Sequence, residues 1–183
     1  TTLALATMFA RGPWALAQPP LPFLDDFSDG KLDDGSPVSW TPIGINPSAA
    51  HSIEAQDYHL KATGPHAGAY VAGSGATADV SLRAAVRVIE TTPGNQGWQW
   101  MGFLARGNTV SGNHYFAGIG TDGYLSVGKE TPYVAGVRLS DLDPREVDVN
   151  LQLDVVGRRL SLWAWSDEGE IPKPAAPQIV FTD

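Results

Sequence analysis

The chain has 183 residues, 43% apolar and 17% charged, with a formal net charge of −8 and a pI near 4.8. That is long enough for one domain with a sizeable core, too apolar for a disordered segment, and too acidic for a nucleic-acid or anionic-membrane surface, both of which call for basic charge. No cysteine is present, which removes disulfides, thiolate metal sites and a cysteine nucleophile.

In chain order, residues 1–17 come first. The apolar run Leu3-Ala4-Leu5-Ala6-Thr7-Met8-Phe9-Ala10 is followed by Ala15-Leu16-Ala17 before Gln18-Pro19-Pro20. An apolar stretch closed by Ala-x-Ala has the form of a secretory signal segment. Arg11 interrupts it and no basic leader precedes it, so an apolar N-terminal arm is the alternative. The run is too short to span a bilayer. The expectation is an exported bacterial protein, secreted or at the cell surface, with residues 18–183 forming a single domain.

From Phe23 onward the pattern is short strands between turn residues, with no long amphipathic helix. Strands are predicted over Phe23–Ser28, Ser52–Ala55, Tyr58–Ala62, Ala69–Ala72, Ala78–Glu90, Trp100–Arg106, His114–Ile119 and Leu125–Lys129. Four more are predicted over Tyr133–Leu139, Glu146–Val156, Arg159–Ser166 and Gln178–Phe181. Asp29-Gly30, Asp34-Gly35, Pro93-Gly94, Gly107-Asn108, Asp122-Gly123 and Asp143-Pro144 punctuate them. Gly118-Ile119-Gly120-Thr121-Asp122-Gly123 superficially matches a phosphate loop, but its spacing is wrong and no helix follows, so it reads as a hairpin. Many short strands at this spacing predict a two-sheet sandwich or barrel.

The C-terminal pair of strands is the most specific. Residues 146–156 alternate polar and apolar, Gly157-Arg158 offers a two-residue turn, and Arg159–Trp165 returns. With that loop Val156 pairs with Arg159, Leu153 with Leu162 and Leu151 with Ala164, so the apolar faces coincide. Asp154 then faces Ser161, Gln152 faces Trp163 and Asn150 faces Trp165; a slip of one residue would break both matches. The non-core face carries Glu146, Asp148, Asn150, Gln152 and Asp154 beside two tryptophans. Rings that stack on the C–H faces of a pyranose, beside amides and carboxylates that take its hydroxyls, suit a polysaccharide or glycan ligand. An ordinary solvated strand face with incidental tryptophans remains the alternative.

The opening Leu24-Asp25-Asp26-Phe27-Ser28-Asp29-Gly30, Trp40, and the Leu-x-Leu-x-Val-x-Gly-x-x-Leu-x-Leu-Trp segment over residues 151–163 resemble the concanavalin A-like lectin/glucanase superfamily. The likeness is nearest to secreted laminin-G-like jelly-roll domains of environmental bacteria and spans roughly residues 23–183. The resemblance implies an all-β, two-sheet antiparallel jelly-roll sandwich that commonly holds a glycan and sometimes a structural calcium. It also implies a test of Glu146-Val147-Asp148-Val149-Asn150 against the Glu-x-Asp-x-Glu of retaining glucanases. Glu146 and Asp148 match the nucleophile and its assistant, and on one strand they would lie ~6.6 Å apart. Asn150 replaces the acid/base glutamate, and an amide cannot protonate the leaving oxygen.

Two further clusters complete the candidates. Trp98 and Trp100, with Arg106, His114 and Tyr115, form either a second stacking platform with hydrogen-bond donors or, for Trp100, core packing and, for Trp98, a loop anchor. Asp25, Asp26 and Asp29 supply oxygens for calcium, although Phe27 breaks the EF-hand pattern and Asp29-Gly30 is a common turn pair. Three functional readings stay open: a carbohydrate-binding domain, a structural or adhesive domain with extracellular protein partners, and a glycoside hydrolase.

Overall fold

A computed structural model of the chain describes residues 7–9, 24–32, 39–42, 50–61, 69–71, 79–89, 100–107, 114–129, 131–168 and 171–183. Most of residues 1–17, the turns at Asp34-Gly35 and Pro93-Gly94, and Trp98 lie outside the described residues. All the regular structure described is β. The strands are β1 (Thr7–Phe9), β2 (Trp40–Pro42), β3 (Ala50–Glu54), β4 (Asp57–Lys61), β5 (Ala69–Val71), β6 (Val80–Val86) and β7 (Trp100–Gly107). They continue with β8 (Tyr115–Gly120), β9 (Tyr124–Lys129), β10 (Thr131–Arg138), β11 (Val149–Val156), β12 (Arg159–Trp165) and β13 (Ile179–Thr182). No helix among the described residues is long and apolar enough to cross a membrane.

The larger sheet has the order β10-β9-β8-β7-β1-β5-β2, and the smaller has β13-β12-β11-β6; β3 and β4 form a hairpin of their own. Pairing is antiparallel throughout except where β1 lies parallel to both β7 and β5. One continuous core joins the two larger sheets face to face as a β-sandwich. The small sheet contributes Leu82, Val86, Val149, Leu151, Leu153, Val155, Leu160, Leu162 and Ala164, and the large sheet contributes Met101, Phe103, Ala105, Ala117, Ile119, Leu125 and Val127. Period-two alternation places these residues on one face of each strand. Each fully buried leucine or valine among them stabilises the fold by ~1.5–3 kcal/mol.

The β11–β12 register is the one read from the sequence, from Val156 opposite Arg159 to Asn150 opposite Trp165. Gly157 has φ 54° while Arg158 is on the negative side, the pattern of a type II′ turn, which suits the right-handed twist of the strands. The Gly118–Gly123 segment is a hairpin end as expected. Gly123 N–H donates to Gly120 O, and Asp122 Oδ1 accepts from Tyr124 N–H.

Three predicted strands end elsewhere. Residues 24–30 are not a strand: Asp25 and Asp26 accept the N–H groups of Phe27 and Ser28, and these local bonds turn the chain out of a ladder. The long strand predicted over Ala78–Glu90 stops at Val86, after which Val88 N–H bonds to Pro144 O in a loop. The last of the three begins at Val149 rather than Glu146, because Glu146 and Val147 both donate to Asp143 O in a turn.

A second, smaller core holds Phe27, Trp40, Tyr58 and Ala69, with Leu32, Ile53 and Leu60 against it. Asp25 serves this core, accepting Trp40 Nε1–H at 2.7 Å. Burial pushes the Asp25 carboxyl above its ordinary value, and the bonds from Phe27 and Trp40 pull it back in part. Tyr58 is 1% exposed, its hydroxyl is 2.6 Å from His51 Nδ1, and burial raises its pKa above the ordinary tyrosine value. A raised folded-state pKa means stability is whole below the ordinary tyrosine value, about 10, and is lost as pH climbs through the folded value. Burial also raises Tyr115. The urea midpoint is therefore expected to fall above about pH 10, and Tyr58→Phe to flatten that limb; an equally steep alkaline loss in the variant would contradict the assignment.

The β3–β4 turn carries a correctable strain. Ala55 and Gln56 sit at φ 52° and 67°, a conformation that both glycine and asparagine tolerate better. Replacing them together (Ala55→Asn, Gln56→Gly) is expected to stabilise the protein by about 1 kcal/mol, read as a higher urea midpoint at unchanged m-value.

Candidate functional site

The outer face of the small sheet gathers most of the residues that the hairpin pattern singled out. Rows run across its strands: Arg83, Gln152 and Trp163 form one, Ala85, Asn150 and Trp165 the next, and Ser81, Asp154 and Ser161 a third. Neither tryptophan belongs to the core between the sheets. They differ from each other, however. Trp163 is half-buried, whereas Trp165 is only 3% exposed.

Two cations cover these rings. The Arg83 guanidinium carbon lies 4.9 Å from the Trp165 ring centroid. Lys173 Nζ lies 5.3 Å from the Trp163 centroid and 5.1 Å from that of Trp165. Such approaches over an indole face contribute about 0.5–2 kcal/mol each, depending on desolvation. Lys173 belongs to the segment Ile171-Pro172-Lys173-Pro174, which follows β12 and precedes β13. The same ammonium donates to Gln152 Oε1 at 2.6 Å.

Around this centre the polar side chains bind one another. Gln152 Nε2–H and Ser81 Oγ–H both donate to Asp154 Oδ1, at 3.0 and 2.6 Å. Asn150 Nδ2–H donates to Asp167 Oδ2 at 3.1 Å. Arg87 reaches Asp148 and Glu168 at 3.4 and 3.3 Å, and Glu168 Oε2 accepts Asp148 N–H. These pairs are mostly exposed, so each is worth little in stability; together they fix the orientation of the face.

The would-be catalytic pair is not a strand pair. Glu146 is exposed in the turn before β11, and Asp148 precedes that strand and faces Arg87. The ~6.6 Å spacing of alternate strand residues does not apply to them.

Arg106 and Tyr115 stand apart from the hairpin face. Arg106, at φ 51°, donates to the Gly157 carbonyl and to Asp79 at 3.4 Å, and Asp79 also accepts Gly157 N–H at 2.7 Å. It ties β7 of the large sheet to the β11–β12 turn of the small one. Tyr115 donates to Asp183 at 2.5 Å, beside Lys129, which reaches the same oxygen at 2.6 Å. The bonds from Lys129 and Tyr115 hold the Asp183 carboxyl below its ordinary value.

Trp100 is not in the core, contrary to the packing alternative. It lies half-buried on the outer face of the large sheet, edge-on to Phe116 at 5.1 Å, and donates to Ser126 Oγ at 3.2 Å. The reason is the stripe of small residues opposite one another, Gly102, Gly118, Ser126 and Gly136, over which the indole and the Tyr124 ring can lie flat.

The three calcium candidates each serve the local backbone. Asp25, Asp26 and Asp29 accept the N–H of Phe27, Ser28 and Lys31 respectively, at 2.9 to 3.0 Å. Among the described residues no cluster of three or more acids or histidines converges as a metal site.

Sequence reading missed Arg83 and Lys173. The signal for Arg83 was its place on the polar side of an alternating strand. Lys173 gave none beyond its position between two prolines. The chain matches no protein-family model, no curated protein and no solved structure.

Proposed function

We propose that this is a carbohydrate-binding domain, a jelly-roll sandwich of the concanavalin A-like kind, exported to the cell surface or beyond. The observation that carries the reading is Trp163, half-exposed on an outer sheet face and in register with Gln152. An indole held beside an amide by the ladder itself offers a rigid stacking surface next to a hydrogen-bonding group, at little entropic cost on binding. Trp165 supports this platform from beneath its two cations and does not itself stack on ligand.

The test is affinity electrophoresis of the full chain through gels containing neutral and acidic polysaccharides. Retardation by at least one glycan, lost in Trp163→Ala while the thermal midpoint stays within a few degrees, is the expected result. Retardation unchanged by Trp163→Ala would sink the reading.

A second reading, a structural or adhesive subunit, is favoured by one feature. The apolar Thr7–Phe9 strand bridges β7 and β5 in parallel. If such an arm came from a neighbouring copy it would complete the sheet by strand addition. Mass measurement of the mature N-terminus separates the two: removal up to Ala17 eliminates the arm.

A further inference from the structure

The outer face of the small sheet carries two cations that pair directly with no carboxylate among the described residues. Arg83 makes no ion pair or hydrogen bond among the described residues beyond its approach to Trp165, and Lys173 is held by the neutral amide of Gln152. Five other cations form ion pairs, Arg87 with Asp148 and Glu168, Arg106 with Asp79, Lys129 with Asp183, Arg138 with Asp122 and Arg145 with Asp143, while Lys61, Arg158 and Arg159 have none among the described residues; what sets Arg83 and Lys173 apart is that both approach the Trp165 ring. Two carboxylates beside the same face bond to neutral donors and not to either cation. Asp154 accepts from Ser81 and Gln152, and Asp167 accepts from Asn150.

The two charges are also close together. Lying 4.9 and 5.1 Å from one ring centroid, they are at most 10.0 Å apart, about one screening length at 0.1 M salt. Two like charges held so near each other repel, and an anion between or beside them relieves that repulsion. A guanidinium offers a planar fork of donors to a carboxylate, and an ammonium offers a point charge. Trp163, directly beside Lys173, offers the ring on which the sugar bearing that anion would lie.

From this arrangement we infer that the ligand of this face is an acidic polysaccharide whose uronate carboxylates are taken by Arg83 and Lys173 while Trp163 stacks on the pyranose. The inference rests on the carbohydrate reading above and narrows it to a substrate class. Lys173 is a binding residue in this account, and the Ile171–Pro174 segment is part of the site rather than a cover over it. The carboxylates of Asp154 and Asp167 beside the same face oppose a polyanion, so binding requires Arg83 and Lys173 to act together.

The test runs the full chain against polygalacturonate (a carboxylate on every sugar), dextran sulfate (sulfate only), single-stranded DNA (phosphate without pyranose) and a neutral β-glucan. Each is run at low salt and at about 0.5 M NaCl. Binding to polygalacturonate is expected at low salt, weaker by about tenfold or more at high salt. It should also be weaker by about tenfold in Arg83→Gln and in Lys173→Gln, and largely restored in Lys173→Arg. Because both residues are exposed, near-UV circular dichroism should show the variants folded. Binding to the neutral glucan alone would overturn the acidic assignment and leave the carbohydrate reading standing. Binding to dextran sulfate without polygalacturonate would assign the anion to sulfate and overturn the carboxylate. Equal binding to DNA, insensitive to Trp163→Ala, would overturn both in favour of general polyanion adhesion. Binding to none of the four would overturn both as well.

Discussion

Alanine at Gly118 is expected to destabilise the protein by about 3 kcal/mol or more, at the upper end of what overpacking costs. Gly118 and Gly102 face each other directly across β7 and β8. A Cβ on Gly118 would lie 2.1 Å from the Met101 carbonyl oxygen and 2.8 Å from Gly102 Cα; one on Gly102 would lie 2.1 Å from the Ala117 carbonyl oxygen. All of these are backbone atoms, so no rotamer change relieves the overlap. The strands must move apart, and doing so breaks ladder bonds in the middle of the large sheet. The indole of Trp100, 2.7 Å from the same Cβ position, would also be lifted from its place across the sheet. Urea denaturation should show a lower midpoint at unchanged m-value. Gly30→Ala makes the control, since nothing lies within 4 Å of its Cβ position and only its positive φ opposes the change. Equal losses at the two positions would mean that close strand approach is not what requires glycine at 118.

The second large effect separates two tryptophans that look alike in sequence. Trp165→Ala is expected to cost about 3–5 kcal/mol, the range for deleting a buried large aromatic. It removes a ring that is 3% exposed and strands Arg83 and Lys173 without the π-face they cover. Trp163→Ala is expected to cost about 1–2 kcal/mol, because its half-buried ring already shares its surface with water. Ligand retention should behave in the opposite sense, with Trp163→Ala losing it and Trp165→Phe keeping it. Equilibrium unfolding of the two alanine variants decides the matter: equal costs would place both rings in the same environment, against the burial seen. The contrast also bears on experiment, since loss of binding in Trp165→Ala would report unfolding as much as recognition.

The β11–β12 hairpin shows why part of this protein was legible from residues alone. Alternation from Glu146 to Val155, a glycine suited to the first turn position, and two apolar faces that coincide in only one register leave no competing arrangement. The same logic found the hairpin at Asp122-Gly123. It failed where local bonds compete with the ladder. Asp25 and Asp26 close their own turns, and Asp143 captures the N–H groups of Glu146 and Val147, so two stretches that read as strand are turns instead. It was also silent on the three-residue strand Trp40–Pro42, which is too short to show a period.

The sequence by itself determined the all-β class, the inward face of the β11–β12 hairpin and the pairing that sets Gln152 beside Trp163. These follow from period-two patterning and turn chemistry, which are local. Only the tertiary structure decided what lies over that face. Lys173 comes from a loop beyond β12, and Arg83 from a strand paired with the far side of β11, so their meeting over the indoles depends on sheet order. Tertiary structure likewise decided that Trp165 is buried while Trp163 is only half-buried, that Arg106 ties the two layers together, and that Trp100 lies outside the core on a floor of glycines. Alternation tells which way a side chain points, but burial depends on what the rest of the chain brings to meet it.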